Sequence, residues 1–291
     1  MTETRRITRI VKAHRQLEGG GFVVRRSFPT RGLEHLDPLL LLDEMGPIDY
    51  APGEAQGAPD HPHRGFETVT YLLAGELEHA DSAGHAGTLR PGDVQWMTAG
   101  AGVVHREMLS KRIQAEGGRV HAFQLWVNLP RHDKRMVPRY QEIAAQSIPE
   151  ATSADGLAKV KVIAGEVFGV RATIETHTPI LYQHWRLEPG ADIETPVPAD
   201  FRVGLYVFEG SVEIAGETVS DGELALLGPG DHLRLSTSTQ AQAMLLGGRP
   251  LDEPIAWGGP FVMNTAAEVR EAFADYAEGR MGHIPPAIIR A

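Results

Sequence analysis

Between residues 16 and 250, apolar and polar positions alternate in short runs separated by Gly, Pro and Asp. The runs are GFVVRRSF, ETVTYLLAGELEHAD, DVQWMTAGAGVVHREM, VHAFQLWVNL, AKVKVIAGEVF, PILYQHWRLEPG, RVGLYVFEGSVEIAG, ELALLGPGDHLRLST and AQAMLLGG. Alternation with a period of two turns one set of side chains to a buried face and the other to water, so each run reads as one strand or a hairpin. Many such runs with turn residues between them predict an all-β antiparallel sandwich or barrel, and argue against an α/β fold. Helical signal is sparse. It is clearest in NTAAEVREAFADYAEGRMG, where Thr265 and Glu268 fit a capping box, Val269 and Phe273 share a face and Gly279 offers a stop. This helix is expected to pack onto the β body.

The polar, proline-containing stretch 131–156 breaks the strand rhythm and reads as a link between halves. The expected division is an N-terminal metal-binding domain 1–132, a linker 133–156 and a C-terminal domain 157–291 that includes the final helix. The halves also repeat each other. TYLLAGELEHADS around Gly75 is matched by LYVFEGSVEIAGE around Gly210, at an offset of 135. LRPGDVQWM (89–97) is echoed by LGPGDHLRL (227–235), at an offset of 138. Two tandem β domains of one design follow.

Composition narrows the function classes. Of 291 residues 42% are hydrophobic and 23% charged, an ordinary balance with ample material for a core. The net charge is −10 and no Lys/Arg block occurs, which disfavours direct nucleic-acid binding. The basic cluster Arg5, Arg6, Arg9, Lys12 and Arg15 reads as a solvated strand or arm. Cysteine is absent, so disulfides and thiolate metal sites are excluded and any metal must sit on nitrogen and oxygen. With no apolar stretch of membrane-spanning length and no signal-like start, a soluble, cytoplasmic protein is expected.

Within DHPHRGFETVTYLLAG, His61 and His63 stand two residues apart, the spacing that turns both to one side of a strand. GAGVVHREM repeats the spacing with His105 and Glu107. Two such pairs on neighbouring strands would bring three imidazoles and one carboxylate to one interior point. That donor set suits a divalent metal, whether zinc, ferrous iron, manganese, nickel, cobalt or copper, and does not choose among them. Glu67, four residues after His63, competes with Glu107 as the carboxylate, and spacing leaves the choice open. His79, His85, His132, His177, His184, His232 and His283 lack a partner pattern and read as ordinary surface or core histidines. His121 and Gln124 could lie beside the site. By the two repeat offsets, His61 and His63 fall on Pro196 and Pro198, and His105 and Glu107 on Ala243 and Leu245, so the second half is expected to bind no metal and the chain to carry one.

DHPHRGFETVTYLL, GDVQWMTAGAGVVHREM, QLWVNLP and PIAWGGPFVMNT, in this order and spacing, resemble the pirin family, two-domain members of the cupin superfamily. The similarity runs from about residue 15 to about residue 280, and the extreme tail MGHIPPAIIRA does not follow it. The resemblance implies a bicupin whose N-terminal barrel holds one iron through His61, His63, His105 and Glu107, and it decides for Glu107 over Glu67. It also implies one of two activities. The first is dioxygenation of quercetin-type flavonols with O2 and release of carbon monoxide, with Glu107 also serving as the catalytic acceptor of the 3-hydroxyl proton. The second is a metal-binding, redox-responsive regulator that docks a transcription factor or another protein partner. For the first, Phe66, Trp96, Met97, Phe123 and Trp126 are candidate walls around a flat substrate, most of them better accounted for by ordinary core packing.

Overall fold

A computed structural model describes residues 3–19 and 21–285; the tail 286–291 lies outside the described residues. Its strands pair antiparallel, as the alternation demands, and assemble into two jelly rolls of matching topology. In the first, a seven-stranded sheet runs in the order Arg139–Ile143, Val94–Thr98, Phe66–Ala74, Gly118–Asn128, Leu39–Tyr50, Phe22–Phe28, His14–Glu18. Its four-stranded companion runs Gly57–His63, Val103–Leu109, Leu77–Asp81, Ala86–Leu89. The second repeats this with Ile7–Lys12, Glu223–Leu227, Arg202–Glu209, Ala241–Gly248, Ile180–Leu187, Ala158–Ala164, Glu150–Thr152. Its companion is Asp192–Pro196, His232–Ser236, Ser211–Ile214, Glu217–Ser220. The all-β, two-cupin reading holds. A short helix, Lys111–Glu116, and the C-terminal helix Ala266–Ala277 are its only α-helices among the described residues. Thr265 caps the latter, accepting from the Glu268 amide at 3.2 Å and donating to Glu268 Oε2 at 2.8 Å.

The compact units differ from the sequential division 1–132, 133–156 and 157–291 at both ends. One comprises Met1–His14, Arg26–Leu40 and Gln146–Leu251; the other comprises Arg15–Arg25, Leu41–Ala145 and the chain from Asp252 on. The N-terminal strand belongs to the second jelly roll because Ile7–Lys12 pairs with Glu223–Leu227. Arg5, expected in a solvated arm, is 1% exposed, and its guanidinium donates to the carbonyls of Pro198, Phe201 and Gly228. Conversely, the C-terminal helix belongs to the first jelly roll: Phe261, Ala272 and Met281 form one apolar cluster with Ala80 and Val104. Arg64 meets Asp275 at 2.7 Å in the same unit. The stretch read as a linker is divided too, since Arg139–Ile143 is an edge strand on Val94–Thr98. These pairings join residues remote in sequence, which local periodicity does not encode.

The internal repeat needs correction at both ligand pairs. The strand carrying His105 and Glu107 lies beside Gly57–His63, and the strand in the same place of the second jelly roll is His232–Ser236, beside Asp192–Pro196. The Pro229-Gly-Asp turn therefore matches the GAGVV turn before His105, not the Pro91-Gly-Asp turn. His105 and Glu107 correspond to Leu233 and Leu235, whereas Ala243 and Leu245 lie on Ala241–Gly248, the counterpart of Gly118–Asn128. His61, opposite His105, then corresponds to Thr195, opposite Leu233, and His63 to Val197; Pro196 is exposed and stands opposite His232. The mismatch arose because a Pro-Gly-Asp turn is generic β-turn chemistry that recurs wherever a turn needs it.

Candidate metal centre

His61 and His63 end the strand Gly57–His63, and His105 stands directly opposite His61 in the antiparallel pair. Their ring centroids lie 4.8 Å (His61–His63), 4.3 Å (His61–His105) and 4.9 Å (His63–His105) apart. One nitrogen from each falls within 4.8 Å of the other two, a grouping that could hold a metal ion. After His63 the chain must leave one sheet for the other within two residues. Gly65 makes that turn at φ +87°, where a Cβ would sit 2.1 Å from the Val262 carbonyl oxygen, so only glycine fits. Gly100 does the same ahead of His105: at φ +49° its Cβ would lie 2.2 Å from the Met136 carbonyl.

The donors are oriented as ligands. His61 Nδ1 lies 2.7 Å from the Pro59 carbonyl oxygen and His63 Nδ1 lies 3.3 Å from that of Pro260, contacts that place a proton on Nδ1 and leave Nε2 free. Neither nitrogen of the buried His105 ring has a hydrogen-bond partner among the described residues. Buried polar atoms are almost always paired, so this orphaned ring calls for a bound group, and a metal ion fits that need. Burial, and after it the neighbouring histidines, holds His63 and His105 well below the ordinary histidine range, so both are neutral donors at pH 7. A divalent metal fits this set.

Glu107 follows on the same strand and, like His105, is turned inward, 8% exposed, while Arg106 between them faces out to Asp60 at 3.0 Å. The Thr70 hydroxyl donates to Glu107 Oε1 at 2.8 Å and lies 3.1 Å from the Gln124 side-chain oxygen. Glu107 thus faces the same interior as His105, but the group of side chains that meets within 4.8 Å is the three histidines without it. Glu67 does not face that interior: it stands opposite Thr98, which donates to its Oε1 at 2.6 Å, on the face of the strand away from Phe66 and Thr70. The turn at Gly65 separates Glu67 from the His63 strand, so parity counted through it fails. Burial raises the Glu67 carboxyl to about 7.

Of the candidate walls, Phe66 and Trp126 each lie 5.1 Å, centroid to centroid, from His63, and Met97 shares their face. Trp96 and Phe123 stand opposite Val69 and Tyr71 on the other face, fully buried as core. Gln124 does lie beside the site, while His121 binds Glu44 Oε1 at 2.8 Å instead. Sequence reasoning missed His79, which stands opposite Glu107 and 2.7 Å from Glu142 Oε1. It also missed Asp81 opposite His105, and Tyr140, whose hydroxyl is held protonated by burial first and then by the Asp81 and Glu107 charges. The i, i+2 spacing of His79 and Asp81 was the available signal. Pro260 and Trp257, brought in from the chain's far end, left none.

Residues 21–127 match the family model described as Pirin, and residues 182–282 the one described as Pirin C-terminal cupin domain. A pirin-like protein of Solanum lycopersicum is 43% identical over 283 residues, covering 96% of this chain and 93% of that one. Human pirin is 40% identical over 289 residues, covering 97% and 96%. The crystal structure of a quercetin 2,3-dioxygenase from Acinetobacter baumannii superposes with a TM-score of 0.92 at 38% identity, covering 97% of this chain and all of the other. With both cupins matched in order and relatives aligned along nearly the whole length, the chain belongs to the pirin family.

Proposed function

We propose that this chain is a metal-dependent dioxygenase that opens the central ring of quercetin-type flavonols with O2 and releases carbon monoxide, using iron(II) held by His61, His63, His105 and Glu107. The observation that carries the reading is the histidine triad, with His63 and His105 buried and neutral and both His105 nitrogens unpartnered, beside a carboxylate and between aromatic walls. The name of the Acinetobacter structure supports the same substrate class. When bound, the metal supplies Lewis-acid and one-electron chemistry to an enolate and to dioxygen. Glu107 accepts the proton of the flavonol 3-hydroxyl, since it is turned inward on the strand of His105 and its Oε1 is fixed by Thr70. Thr70 holds that carboxylate in one orientation, and Phe66 and Trp126 confine a flat ring and exclude water from it.

The test is oxygen uptake with quercetin by protein of known metal content, with Glu107→Ala in parallel. Uptake proportional to bound metal and at least ~100-fold lower in the variant is expected from loss of a positioned base. No uptake from metal-replete protein would overturn the oxygenase and leave the regulator, a metal-responsive surface that docks a protein partner.

A further inference from the structure

Beyond the cup that holds the triad, the aromatic wall continues to the surface. Trp126 stacks on Phe66 at 4.3 Å and 33° on one side and on Trp257 at 5.7 Å and 24° on the other. Its edge meets His63 at 72°. Trp257, on the short strand Ala256–Gly258, is 37% exposed, one of the few large apolar side chains in the described residues left so open. Its indole N–H is already given to the Gly259 carbonyl at 3.0 Å, so the ring is anchored by its polar edge and offers only its faces. An anchored ring loses little freedom when a ligand stacks on it. The same segment supplies the Pro260 carbonyl that orients His63, so the position of Trp257 is tied to that of a donor.

We infer that Trp257, backed by Trp126, is the specificity platform for the aromatic part of the ligand that projects out of the metal cup. The inference rests on the flavonol reading for the identity of the ligand, and it selects for an extended flat molecule over its metal-binding head alone. A flavonol has such a head, a 3-hydroxy-4-pyrone, joined to further rings. Maltol has the head without them.

The experiment is an anaerobic titration of nickel-loaded protein with quercetin and, separately, with maltol, followed by the absorption shift of each ligand. The wild-type chain is compared with Trp257→Ala and Trp257→Phe at matched metal content. Loss of one aromatic stacking contact predicts quercetin binding weaker by about 5–10-fold in Trp257→Ala, largely restored in Trp257→Phe, with maltol unchanged in both. Equal weakening of quercetin and maltol would overturn the inference by showing that Trp257 only supports the cup, and no change for either would overturn it outright. Failure of the wild type to bind quercetin would overturn both the platform and the flavonol reading. Selective loss of quercetin binding in a protein that takes up no oxygen would establish the platform and reject only the oxygenase.

Discussion

The two jelly rolls have the same strand order and opposite interiors. Where the first places His61, His63, His105 and Glu107, the second places the buried Thr195, Val197, Leu233 and Leu235. Where Thr70 faces Gln124 across a strand pair, Leu205 faces Leu245. Leu205, Leu233, Leu235 and Leu245 all belong to one apolar cluster of fully buried side chains. The scaffold thus tolerates either filling. A polar interior requires every donor and acceptor to be satisfied, by a neighbour or by a metal, whereas the apolar one is stabilised by burial alone. The difference teaches that a cupin barrel confers no metal chemistry by itself; the inward side chains of a few strand positions decide it.

This comparison breaks most easily at a ligand. His105→Ala should reduce metal affinity by more than the roughly 10–100-fold typical of lost supporting contacts, emptying the protein at stoichiometric metal, whereas His232→Ala should leave metal content unchanged. Elemental analysis after desalting measures both. On the other side, Leu235→Ala should cost about 2–5 kcal/mol in unfolding free energy from the cavity it opens, with metal content intact. Denaturant titration of the metal-loaded protein checks this, and a loss of metal would mean that the apolar interior does more than fill space.

Glu67 sharpens the comparison within the first jelly roll. Its carboxyl, raised from 4.5 to about 7 in the folded state, holds a proton that the unfolded chain has released. The folded state binds more protons between these values, so stability falls as pH rises from about 4.5 through about 7. Glu67→Gln removes that loss and keeps an acceptor for Thr98. The variant should gain up to about 3 kcal/mol relative to wild type at pH 8, and little at pH 4, with unchanged metal content. Thermal melts at the two pH values read the effect. Thr70→Val, which removes the donor to Glu107 while keeping shape, should lower turnover or metal affinity by about 10-fold, a smaller change than loss of a ligand.

The strands, the two-domain repeat, the capped helix and the triad were legible in the sequence because each rests on short-range regularity: period two, turn residues, a capping box and i, i+2 spacing. What was not legible depends on pairing between distant segments. Ile7–Lys12 gives no sign of its partner Glu223–Leu227. Nothing about Pro260 or Trp257 announces a place beside His63, because a carbonyl and a ring acquire that role only when the chain from Asp252 on returns to the first jelly roll. Glu67 and Glu107 could not be told apart by counting because the count crossed Gly65, where the backbone turns and parity resets. The misplaced equivalents Ala243 and Leu245 came from a turn motif common enough to match in two registers. The true equivalents of His105 and Glu107, Leu233 and Leu235, are apolar as well.

The most direct test of the central claim is the number of metal ions per chain, measured by elemental analysis after iron(II) loading and desalting, in the wild type and in a His63→Ala, His105→Ala double variant. The account predicts one per chain in the wild type and none in the variant. Two per chain, or metal retained without those imidazoles, would contradict it.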